Sequence, residues 1–221
     1  MAQQMAARIL LTGFEPFGTH RLNPSERVLR PLAAACPGGA VVSTRVLPVC
    51  YRTGFGPVRD ALDTERPDAV VLLGLGAGRS ALSFERVAVN RRGSSGPDNA
   101  GVRLDGERIE ADGPAACFST LAVDDLVDAV LAAGVPAEAS DDAGTFLCNQ
   151  VLYQTLRHWD RRGLRTRAGV ELEPLLREQA GPGEPFLDEP QLLAGLASAL
   201  TVLAESPPHG ALADTQTWTG D

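Results

Sequence analysis

Aromatic residues make up only 5% of the 221-residue chain, so its core must be built mainly from Ala, Val and Leu. Hydrophobic residues still reach 44%, enough for one substantial core but, at this length, not for two comfortable domains. Positive charge is in deficit: 20 Lys and Arg against 28 Asp and Glu leave a net charge of −8, with the acidic residues spread along the chain. Without a clustered basic surface a nucleic-acid groove is excluded, and a small or neutral ligand is favoured. No long apolar run opens the chain. MAQQMAARILLTG fits neither a secretion signal nor a membrane span, so no membrane partner is expected. The four cysteines (Cys36, Cys50, Cys117, Cys148) stand far apart with no CxxC or Cys/His pairing. Zinc and a disulfide framework are therefore poor readings, and a reducing cytoplasm is the simplest setting.

What the chain does contain is an alternation of strand-length apolar runs with helical periods, the pattern of βα units around a mostly parallel sheet. Residues 7–12, 40–47, 68–73, 83–90, 137–140 and 168–173 read as strands. Helices are expected over 57–64, 120–133, 146–159 and 190–205, and one starts at Asn23-Pro24-Ser25-Glu26 with Asn as cap and Pro in the first turn. Residues 91–113, rich in Gly, Asp and Asn, read as loops and a hairpin, and residues 206–221 as a loose tail. No repeat or linker divides residues 1–221, so a single domain is expected.

Two segments invite chemistry. Gly74-Leu-Gly-Ala-Gly78 follows a strand, but its GxGxG spacing and strand-like continuation lack the helix start that a phosphate cradle requires. A tight turn with close backbone passage is the better reading. Cys148 lies where a short strand passes through a glycine turn into a helix. There the positive end of the backbone dipoles favours the thiolate, whereas Asp141 and Asp142 oppose it if they are close. A small buried core residue is the competing reading.

Taken together, several segments resemble the pyroglutamyl peptidase (pyrrolidone carboxyl peptidase) family of cysteine peptidases. They are LTGFEPFG (residues 11–18), Asn23-Pro-Ser25, GLGAGRSALSFERVAVN (74–90), Pro97-Asp-Asn99, ADGPAA (111–116) with FSTL (118–121), and AGTFLCN (143–149). The resemblance spans about residues 8–204 and implies a single-domain three-layer α/β/α sandwich, a cytoplasmic location, no cofactor and a homo-oligomer, a dimer or tetramer. It also implies removal of an N-terminal pyroglutamyl residue from peptides. The family nucleophile falls on Cys148 and its triad carboxylate on Glu85. Phe14, Phe17 and Phe146 fall where the lactam ring is held, Asn23 where its carbonyl is contacted, and the backbone near Leu75 where the substrate amide binds. Two flat aromatic faces suit such a flat, nearly neutral ring.

Two positions depart from the pattern. The family's general-base His, aligned without a gap, falls on Leu172; a one-residue slip would put Glu171 there, and neither is an imidazole. His158 lies ten residues along the Cys148 helix, about 15 Å away and on another face. His20, after Phe17, and His209, in the tail, are the remaining substitutes. A bacterial oxyanion-stabilising Arg falls on Ser95, while Arg91 and Arg92 stand just before it. Three functions are therefore open: a thiol hydrolase with an altered base, a repurposed acyl-transfer or lactam-forming enzyme, and a binder of lactam-ended ligands without turnover.

Overall fold

The computed structural model describes residues 6–94, 96–163 and 166–206. In chain order its elements are β1 (Arg8–Phe14), α1 (Pro24–Arg27), α2 (Leu29–Ala35), β2 (Val41–Leu47), α3 (Gly56–Glu65), β3 (Ala69–Leu75), β4 (Leu82–Glu85), β5 (Val87–Val89), β6 (Arg92–Gly93), β7 (Asp105–Glu107), β8 (Ala116–Phe118), α4 (Val123–Ala132), β9 (Ala137–Ser140), α5 (Leu147–Arg162), β10 (Arg167–Glu173), β11 (Leu175–Leu176), β12 (Phe186–Leu187) and α6 (Glu189–Glu205). Six strands form the central sheet in the order β2-β1-β3-β10-β4-β9. All its pairings are parallel except β10 with β4, so β4 and β9 run against the other four. The expected mostly parallel sheet is thus present, and the expected 83–90 strand is broken at Arg86 into β4 and β5.

Strand alternation sends Ile9, Leu11, Ala69, Val71 and Leu73 to one face, where they meet α2, α4 and α6. Leu10, Val70, Leu72, Ala168 and Val170 go to the other, against α3 and α5. This is the expected three-layer sandwich. Each fully buried leucine, such as Leu10 and Leu72, contributes roughly 1.5–3 kcal/mol by leaving water. The Asn23 cap is present: its side chain accepts the Ser25 N–H at 3.2 Å. The helix it starts is interrupted at Val28 and resumes as α2. The expected hairpin is the antiparallel β6–β7 pair. Of the expected tail, residues 207–221 lie outside the described residues, His209 among them.

Candidate active site

Cys148 is the second residue of α5, beyond a loop from β9 that turns at Gly144 with φ +67°. Its thiol rests against the C-terminal end of β3. A Cβ on Gly74 would collide with Cys148 Sγ and stand 3.2 Å from Leu172 Cδ2, so only glycine lets the nucleophile candidate settle on this strand. The close backbone passage expected at Gly74–Gly78 is therefore real, and what passes is the thiol.

Around Sγ lies a cavity of about 110 Å³, lined by Phe14, Phe17, Val49, Leu75, Ala143, Gly144, Thr145, Phe146, Leu147, Cys148 and Leu172. Phe14, Phe17, Leu75, Phe146 and Cys148, five of the seven predicted site residues, thus share one small apolar chamber. Phe146 is fixed between Phe17 and Tyr51, with ring centroids 5.7 and 5.5 Å away. Asn23 is not among the lining residues. It is 2% exposed, its Oδ1 accepts from the Ser25 N–H and Oγ–H, and its Nδ2 donates to Glu15 O at 3.2 Å. Through these bonds Asn23 ties together the loop that carries Phe14 and Phe17.

Leu172, expected at the imidazole position, lines the cavity beside the thiol. Its register against Gly74 and Ser83 turns its side chain to the α5 face. Glu171, the alternative, points through alternation to the other face. His158 is bound to Asp63 of α3 at 3.0 Å, as its separation along the helix requires. His20 packs edge-on against Phe17, with centroids 5.9 Å apart, and does not line the cavity. Ser95 lies outside the described residues.

Glu85 is fully buried on the same sheet face as Leu172. Its Oε2 accepts the Asp142 N–H at 3.0 Å, and its Oε1 faces Arg79 Nη2 at 2.8 Å. Burial raises its pKa, while Ser140, Arg79 and the Asp142 N–H work against that rise. Arg79 also donates to Asp142 O at 2.8 Å. A Cβ on Gly76 would stand 2.7 Å from Arg79 Cδ and 3.1 Å from Leu172 Cβ, so the arginine stem runs beside the leucine. The carboxylate that would orient an imidazole is held by a guanidinium instead.

The thiol was expected to be acidified by its helix start. Instead its pKa is pushed up to about 12, first by burial and then by the charge of Glu173, with Glu85 and Glu171 adding to it. Moving from the ordinary 9 to about 12 is worth about 4 kcal/mol. A helix N-terminus supplies at most about 2 kcal/mol in return, so burial and carboxylates win. Asp141 and Asp142, anticipated as the opposing charges, are not among the principal ones.

Sequence reasoning missed three features. Arg79 stands inside the motif at 74–90, yet only the fold reveals its partner. Glu171 and Glu173 are both fully buried, and among the described residues none of their four carboxylate oxygens has a hydrogen-bond partner. Burial raises both pKa values well above the usual carboxylate range; at Glu171 the Ser83 backbone and Arg79 oppose the rise and Glu85 adds to it, and at Glu173 the charge of Glu171 adds to it. Thr145 closes the cavity and donates its hydroxyl to Gly93 O at 2.8 Å. Its place just before the nucleophile was the available signal.

The arrangement can hold a small flat ring against three phenylalanines and present a thiol to a carbonyl beside it. Among the described residues no group of three or more His, Cys, Asp and Glu is placed to hold a metal ion.

Comparison with known proteins agrees with this geometry. The sequence profile of the pyroglutamyl peptidase family matches residues 7–205. A pyrrolidone-carboxylate peptidase of Cupriavidus taiwanensis is 42% identical over 195 residues, covering 87% of this chain and 90% of its own. One from Streptomyces coelicolor is 38% identical over 210 residues, covering 95% and 97%. The crystal structure of pyroglutamyl peptidase I from Bacillus amyloliquefaciens superposes with a TM-score of 0.86 at 32% identity, covering 90% of this chain and 97% of that one. On the strength of fold, cavity and these relatives, the chain belongs to the pyroglutamyl peptidase family.

Proposed function

We propose that this chain receives the N-terminal pyroglutamyl group of a peptide and cleaves the amide bond after it, with Cys148 as nucleophile and at a rate far below that of a thiol assisted by an imidazole. The observation that carries the reading is the 110 Å³ chamber that joins Phe14, Phe17 and Phe146 to the thiol of Cys148. Its volume equals that of about three to four waters, which suits a five-membered ring and not a peptide. The rings clamp the lactam, backbone at Leu75 meets its amide, and Asn23 braces the loop. Sγ attacks the carbonyl, the C–N bond breaks to leave a thioester and a free amine, and water then hydrolyses the thioester.

Among the described residues no imidazole lines the chamber to take the Sγ proton or protonate the amine, and water does both in this reading. Glu85, locked by Arg79, acts as a structural ion pair. Four free thiols suit a reducing, cytoplasmic compartment, and no described helix is long and apolar enough to cross a membrane. A homo-oligomer belongs to the same reading; Phe118, 72% exposed, is the side chain that most needs cover.

The test is fluorophore release from a pyroglutamyl amide at micromolar enzyme and pH 9. Slow release abolished by Cys148→Ala is expected. If the wild-type protein releases no fluorophore over a day, the hydrolytic reading fails.

A further inference from the structure

The lactam chamber is too small for anything beyond the ring, so the rest of the peptide must leave by its mouth. A groove of about 470 Å³, lined by Arg91, Gly93, Ser94, Asp105, Gly106 and Thr145, shares the Thr145 wall with that chamber. Two other grooves, one running from Arg86 to Asp125 and one from Leu176 to Pro190, share no lining residue with it.

The groove is fixed to the nucleophile from both sides. Asn149, directly after Cys148, accepts the Val89 N–H at 2.8 Å and donates to Val89 O and Arg91 O at 2.9 and 2.8 Å. Thr145, three residues before Cys148, accepts the Gly93 N–H through its carbonyl at 2.8 Å and donates its hydroxyl to Gly93 O at 2.8 Å. Five hydrogen bonds thus hold residues 89–93 alongside the first turn of α5.

Arg91 lies across Gly106, a glycine at φ +79° on which a Cβ would stand 2.7 Å from Arg91 Nε. That bare backbone is the seat of the guanidinium plane. Among the described residues Arg91 has no ion-pair partner, although Asp105 lines the same groove. On a chain of net charge −8 this sets a guanidinium, not ion-paired with the Asp105 that lines the same groove, next to the lactam chamber.

We infer that this groove is the subsite for the leaving peptide and that Arg91 selects substrates with an acidic residue directly after the pyroglutamyl group. The inference rests on the lactam reading of the chamber. An arginine held flat offers two parallel N–H donors to a carboxylate, while a basic side chain in the same place meets like charge.

The test uses the full-length Cys148→Ala protein, so binding is read without turnover. Calorimetry at low salt compares pyroglutamyl-Glu amide, pyroglutamyl-Lys amide and pyroglutamyl methylamide. The acidic dipeptide should bind about fivefold more tightly than the basic one, as an exposed ion pair allows. The preference should shrink at 0.5 M salt, as expected of a screened charge. Arg91→Ala should abolish it and Arg91→Glu reverse it, both leaving methylamide affinity unchanged. Equal affinity for the two dipeptides alongside normal methylamide binding overturns the subsite but spares the chamber. No binding of the methylamide overturns the lactam reading, and the subsite falls with it.

Discussion

Replacing Leu172 by histidine should supply a base beside the thiol, where none stands among the described residues. The leucine is 5% exposed, its Cδ2 lies beside Cys148 Sγ across Gly74, and Val170, two residues earlier on the same face, is the register partner of Glu85. An imidazole there would stand between thiol and carboxylate, accepting the Sγ proton and returning it to the leaving amine. Positioned acid–base catalysis is worth about 10²–10⁴ in rate, so kcat/KM on a pyroglutamyl amide should rise by about 10³. The nearby carboxylates of Glu85, Glu171 and Glu173 favour the imidazolium, so the thiol should ionise as half of an ion pair. The midpoint of its alkylation should then fall well below the present value of about 12. The change costs packing: exchanging a buried leucine for a polar ring destabilises by about 1–3 kcal/mol, tolerable for a domain with 5–15 kcal/mol in hand. Arg79 competes for Glu85, which places the gain below that of a free carboxylate. The assay is kcat/KM from pH 6 to 9 for wild type, Leu172→His, Leu172→Asn as a polar control without a base, and Leu172→His with Cys148→Ala. A folded Leu172→His protein gaining less than tenfold would refute the reasoning, because some other group would then already be serving as base.

With its thiol at about 12, the wild-type protein holds about one thiolate in 10⁵ at pH 7, so iodoacetamide labelling of Cys148 should climb tenfold per pH unit from 7 to 10. A plateau below pH 9 contradicts the buried, carboxylate-flanked thiol. Glu171 and Glu173 keep their protons in the folded state above the ordinary 4.5, whereas the unfolded chain releases them. Stability therefore falls as pH rises above about 4.5. Glu171→Gln or Glu173→Gln should accordingly stabilise at pH 8 by roughly 1–3 kcal/mol, raise Tm by several degrees, and lose that effect below pH 4. A lower Tm at pH 8 would show that these carboxylates have partners. Glu173→Gln should also shift the labelling curve of Cys148 to lower pH, since Glu173 is the charge that raises the thiol most. Gly74→Ala should displace the thiol and leucine together, costing about 1–3 kcal/mol and altering labelling, whereas Gly96→Ala, at a position where a Cβ meets nothing within 4 Å, should change neither.

The sheet was legible because its information is local. Buried runs such as Ala69–Leu73 and capped helix starts such as Asn23-Pro24 declare themselves within a few residues. The chamber was legible only through the linked motifs, since Phe14, Phe17 and Phe146 lie too far apart along the chain for any period to join them. The reversal of β4 and β9 was not legible, because a short apolar run reads the same in either direction. Nor was the state of the thiol. A helix start is visible in sequence, but burial and the approach of Glu173 depend on how β10 and α5 meet.

On the proposed reading the end of β10 is where catalysis is weakened, because Glu171-Leu172-Glu173 place polarity on faces where it does not serve the thiol. Leucine meets the thiol, while two carboxylates meet an apolar layer that includes Leu73 and Phe84, the register partners of Glu171. The two faults reinforce one another. Leucine removes the group that would accept the Sγ proton, and the carboxylate charge makes that proton harder to lose. Arg79 adds a third constraint by neutralising Glu85, so that restoring the base alone leaves its orienting partner already engaged. The phenylalanine chamber lies on the α5 side and takes only Leu172 from this group, as an apolar wall; neither the two buried carboxylates nor Arg79 lines it. On the proposed reading, ring recognition and bond cleavage are therefore separable, and the site would bind a lactam while turning it over slowly.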